Sequence, residues 1–150
     1  MANVVPHSFK SELLSGTHNF ATGGDSFKLA LYTAGSGSPY AATATVYDSS
    51  VSNEVSTSAP NAGYTTGGLA LGSQAVATGT GTATVDFANL NFPSATFSAA
   101  YGVIYNDDKS DKLCVVLDFG GTKTATNGDF TIVFPDPSTP SNAIISLTSS

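Results

Sequence analysis

The one local carboxylate cluster of the chain is YNDDKSD, where Asp107, Asp108 and Asp111 follow Asn106. A calcium ion gathers roughly six to eight oxygens, and three aspartates with Asn106 would supply part of that shell. The spacing is not that of an EF-hand loop, and Lys109 and Lys112 interrupt it. A solvated hairpin tip is therefore expected in preference to a cation site. The only histidines, His7 and His18, fit no helix-face metal pair and have no carboxylate pattern beside them. His7 is expected at the surface, and His18 as a turn-capping or packed side chain. Serine and threonine are abundant, but no GxSxG elbow presents a nucleophile. Asp86, Asp118 and Asp129 fall near strand ends, where paired acids for glycoside cleavage would need a spatial separation that spacing does not reveal. Cys114, the single cysteine, sits in KLCVVLDF and reads as a buried small apolar residue. No residue is assigned to catalysis, cofactor or metal, and the chain is not expected to be an enzyme.

These residues must be carried by strands. Only residues 6–15 read as helix, with Phe9, Leu13 and Leu14 on one side and Gly16 as a stop. So short a helix needs an apolar surface to dock on, in this chain or another. From Phe27 the sequence FKLALY alternates as a strand buried on one face does. Further strands are expected at 42–47, 68–77, 81–87, 95–99, 102–106, 112–119, 129–134 and 143–147. Glycines around Thr78–Thr82 suit a hairpin, and 106–110 and 127–129 look like further tight reversals. Pro135, Pro137 and Pro140 stiffen a surface link to the last strand. Short strands divided by Gly, Asn, Asp and Pro mean an all-β fold, an antiparallel sandwich or barrel with one short N-terminal helix. Two long polar segments, 34–39 and 48–66, have no periodicity, and loops of such length in compact domains are usually functional or disordered.

The chain of 150 residues suits one domain, 1–150, with 1–20 as an N-terminal helical or extended docking segment. Charged residues make up 11%, against roughly 25% in ordinary soluble chains. The net charge is −6, with five lysines, no arginine and no basic cluster, which argues against nucleic acid as a partner. No run approaches the roughly 18 apolar residues of a membrane helix. The start, MANVVPHSFK, lacks the features of a signal peptide, so synthesis in a cytoplasm without Sec-type export is expected.

Several segments taken in order, LLSGTHNFATGGDSFKLALYT from Leu13, NEV at 53–55, GYTTGG at 63–68, YGVIYNDD at 101–108 and LDFGG at 117–121, carry a resemblance. From about Leu13 to the last strand, the chain resembles a family of small structural proteins of tailed bacteriophages. The resemblance implies a jelly-roll-like β-sandwich located in the virion. It implies a capsid cement or decoration subunit, a homo-oligomer (dimer or trimer), that binds and stabilises the major capsid protein shell. The alternative is a tail or fibre-associated adaptor that binds host glycans. Partner contact is expected at Phe9, Leu13 and Leu14 of the docking segment, and at Tyr40, Tyr47, Asn53 and Tyr64 of the loops.

Overall fold

The computed structural model describes residues 3–35, 37–58, 63–136 and 143–149. The protein is all-β with one short helix. Helix α1 (His7–Leu14) is followed by β1 (Phe27–Tyr32), β2 (Leu69–Ala70), β3 (Ala75–Gly79), β4 (Thr82–Asp86) and β5 (Leu90–Asn106). A 3-10 turn (Asp107–Lys109) leads into β6 (Lys112–Ile132), and β7 (Ile145–Thr148) comes last. Two antiparallel sheets result, one ordered β2-β1-β5-β6 and the other β3-β4-β7.

The centre of the larger sheet is β1, whose register runs from Phe27 opposite Asn106 to Tyr32 opposite Tyr101. Phe27, Leu29 and Leu31 enter one core with Phe92, Ile104 and Val115. Ala30 and Tyr32 are equally buried, so the strand is covered on both faces rather than one. The second face is closed by the stretch of chain that follows β1: Tyr40, Tyr47 and Val51 pack there with Val103, Tyr105 and Leu113. The smaller sheet lends Val85 and Ile145 to the first core, with Phe87 just beyond β4. Burying one such side chain is worth about 1.5–3 kcal/mol.

The strands are longer and fewer than their punctuation suggests. Segments 95–99 and 102–106 form the single strand β5, because Gly102 stays in the ladder opposite Leu31 and Leu117. Segments 112–119 and 129–134 merge, as far as Ile132, in β6. There Gly120 and Gly121, at φ +69° and +127°, absorb an irregularity instead of ending the strand. The expected reversal at 127–129 is likewise a kink within β6. Asn127 takes φ +49° while its backbone N–H donates to Thr96 Oγ1 at 3.0 Å, which holds the two strands together. Segment 42–47 is not a strand: its small Ala and Thr side chains bury little, and only Val46 bridges to Lys112. Segment 68–77 divides into β2 and β3. The break falls at 71–74, where Ser73 takes φ +54°; just before β2, Gly68 at φ +77° lies so close to Leu29 that a Cβ would overlap its carbonyl. The hairpin around Thr78–Thr82 forms as expected, with Gly79 opposite Thr82. Pro135 is exposed after β6, whereas Pro137 and Pro140 lie outside the described residues.

Candidate interaction surface

The side chains best equipped for chemistry are used as struts. Asp107 accepts from Lys28 Nζ at 2.8 Å, and Asp108 accepts from the Ser26 backbone N–H at 2.7 Å, which ties the hairpin tip to the start of β1. Burial and the neighbouring Asp107 push the Asp111 carboxyl up. His18 is buried between the Phe9 and Phe20 rings, its centroid 5.1 and 6.1 Å from theirs. Its Nε2 lies 2.9 Å from Glu12, which also accepts from Lys112 at 2.6 Å. Burial works to raise the Glu12 carboxyl, but the Lys112 and His18 bonds outweigh it and hold it below the usual range. Cys114 is fully buried, and burial pushes its thiol well up.

A second network is built on Glu54 of the NEV segment. Its Oε1 accepts from Tyr64 Oη at 2.6 Å and from the Gly67 N–H at 2.7 Å, and its Oε2 accepts from Tyr47 Oη at 2.9 Å. Tyr64 in turn accepts from the Leu31 N–H of β1, while Tyr47 stacks on Tyr105 at 4.4 Å. Burial, then the bond to Glu54, raises the hydroxyl pKa of both Tyr47 and Tyr64. The described parts of 48–66 are thus pinned to the large sheet both by this carboxylate and by backbone bonds, Val55 N–H to Leu31 O and Thr33 N–H to Asn53 O, each 2.8 Å.

These networks decide where the expected contact residues lie. Phe9 is buried in this chain's own core, and Leu13 packs half-buried against it. The surface that α1 needs therefore belongs to the same molecule. Leu14 lies off that face and is 91% exposed, because one further residue turns a helix by roughly 100°. Tyr40 is buried, bonded to Tyr32 Oη and to the Asp48 backbone. Tyr64 is buried, Tyr47 is half-buried, and half-buried Asn53 donates to the Thr33 carbonyl at 3.3 Å. Phe9, Tyr40 and Tyr64 therefore correct the expectation that their rings are offered to a partner. A phenol taken from water must find a bond, and Tyr40 and Tyr64 both do so inside the chain, while Phe9 is simply part of its core.

The surface that is offered lies elsewhere, on the small sheet. Its register sets Val76, Val85 and Ile145 in one row and Thr78, Ala83 and Leu147 in the next, all on one face. Val85 is covered by the core, but Val76 is 50% and Leu147 59% exposed. Every residue of β3 is exposed. Among the described residues neither β3 nor β7 has a partner on its outer edge, and Asp86 is the only charged residue of the three strands. Beside β7 a groove of about 520 Å³ opens between Ile144 and the bent β6, lined by Leu117, Phe119, Phe130 and the 70% exposed Val133. The alternating, charge-free AVATGTGTATV was the only sequence signal for this surface, and it announces strands without saying which face they leave uncovered.

Compared with protein-family models, with curated proteins and with solved structures, the chain matches none.

Proposed function

We propose that the protein is a structural subunit of a bacteriophage virion, of capsid cement or decoration type, that attaches to the major capsid protein shell through its three-stranded sheet. The observation that carries this reading is the pair of uncharged edges on β3 and β7, unpaired among the described residues, beside a half-exposed apolar face. Such edges invite strand addition by a neighbouring chain, and the exposed valine and leucine add area to the contact. The ordered resemblance of 13–147 to phage structural proteins supplies the setting. The reading extends to a homo-oligomer, dimer or trimer, and to a jelly-roll-like sandwich. Support for the sandwich is that Val85 and Ile145 of one sheet share a core with Phe27 and Phe92 of the other. A subunit that binds only the assembled shell stabilises it by mass action. The rival reading, a tail adaptor gripping glycans with loop tyrosines, draws no support from rings buried as Tyr40 and Tyr64 are.

The test is co-sedimentation of the purified chain with isolated shells of the phage that encodes it, followed by heating to the point of DNA or shell loss. Saturable binding in hundreds of copies with a raised rupture temperature is expected, and Val76→Lys with Leu147→Lys should abolish it. A chain that ignores shells and instead co-purifies with tails in small copy number would overturn the reading.

A further inference from the structure

Asn106 ends β5 with its side chain wholly buried, and its amide is oriented by its neighbours. Nδ2 lies 2.9 Å from Asp25 Oδ2 and 3.0 Å from His18 Nδ1, while Oδ1 is buried with no hydrogen-bond partner. Turning the amide over would aim Oδ1 at the Asp25 carboxylate, so Asp25 selects the orientation with Nδ2 inward. An amide nitrogen only donates. His18 Nδ1 must therefore accept and carry no proton, and Nε2, 2.9 Å from Glu12 Oε2, is the ring's donor. Through these bonds α1, the connection before β1 and β5 are held together at one ring.

We propose that this ring is an acid-sensitive latch on the N-terminal segment: a proton arriving on His18 Nδ1 meets the Asn106 amide hydrogens, breaks that contact and loosens α1 and residues 17–25 from the sheets. The charged and titratable groups around the ring are Glu12 on α1, Lys112 and Cys114 on β6, Asp25 before β1, and Lys109 in the 3-10 turn. None of them offers Nδ1 an acceptor. Glu12 is engaged on the Nε2 side and by Lys112, and Asp25 Oδ2 already accepts from Asn106 and the Asn19 N–H. The latch is independent of where any partner docks. Cys114, the only thiol, is fully buried in one core with Phe9 of α1 and Phe20 of residues 17–25, so opening the latch uncovers it.

The experiment uses the intact chain. The ring nitrogens of His18 are followed by nitrogen-15 NMR from about pH 8 to about pH 5, the interval in which an ordinary imidazole changes charge. Exposed His7 serves as a reference in the same spectra. In parallel, labelling of Cys114 by a dithiodipyridine reagent is measured and normalised at each pH to the urea-unfolded chain. The expected result is the Nε2–H tautomer at high pH, then labelling that accelerates about tenfold or more as the ring takes its proton, the scale set by one lost buried hydrogen bond. His18→Gln, which keeps a donor and an acceptor but does not titrate, should label at a rate independent of pH. A proton on Nδ1 in the neutral ring, protonation without faster labelling, or equal acceleration in His18→Gln overturns the latch. The tautomer and titration are read on the unsubstituted chain, so they decide the proposal even if His18→Gln fails to fold.

Discussion

The two sheets of this protein treat their edges in opposite ways. In the large sheet, β2 is only two residues long. The outer side of β6 is capped where Val4 exchanges backbone bonds of 2.9 and 2.8 Å with Val116, where Val46 bridges Lys112, and where Asn3 accepts from the Asp118 N–H. Farther along, irregularities at 119–122 and 126–127 bend the strand. These are devices that stop stray pairing. Among the described residues β3 and β7 carry no charge and have no partner strand on their outer sides. The sheet that holds the core is protected from neighbours, and the sheet that contributes least to the core is left accessible to them. On the function proposed above, stability and attachment fall to different sheets of the protein.

The sharpest way to break that comparison is to remove side chains from the large sheet and from the loop pinned to it. Phe27→Ala, at a fully buried position of β1, should cost about 3–5 kcal/mol, read as a lowered urea midpoint. Glu54→Ala should cost about 2–3 kcal/mol, because the Tyr64 hydroxyl and the Gly67 N–H lose a charged acceptor in a partly buried site. It should also make 48–66 the first place a protease cuts.

Acidity probes the guarded side selectively. Burial works to raise the carboxyls of Glu12 and Asp25, but the bonds from Lys112 and His18 to Glu12, and from Asn106 and Asn19 to Asp25, hold both below their ordinary values. On acidification the unfolded chain takes up these protons before the folded one does. Their contribution is therefore present above the ordinary carboxylate range, about pH 4, and is lost as pH falls through the lowered folded values. Urea midpoints measured from neutral to acid should fall along that course, and Glu12→Gln should flatten part of it. The smallest stability effect belongs to the open sheet. Val76→Lys and Leu147→Lys should each shift unfolding by no more than about 0.5 kcal/mol, while the two together, on the proposed function, eliminate shell binding. A large loss of stability there would erase the division between the sheets.

Much of the fold was legible because it depends on neighbours in sequence. The alternation in FKLALY, the glycines around Thr78–Thr82 and the NDDKSD tip each encode their own geometry, and each forms where expected. The contact surface was less legible. Tyr40 flanks and Tyr64 occupies a polar, aperiodic segment of the kind that usually meets partners, yet Glu54, Asp48 and the β1 backbone claim their hydroxyls. Likewise 127–129 has the composition of a turn, but the pairing of β5 with β6 continues through it.

By itself the sequence determined an all-β domain with one short helix, low charge and several sites of reversal, since period and turn chemistry are local properties. Tertiary structure alone decided that β1 is buried on both faces, that His18 and Glu54 are struts, and that, among the described residues, the edges left without a partner strand are those of β3 and β7. Each of these depends on which distant segment covers a strand or satisfies a polar group, and no local pattern carries that information.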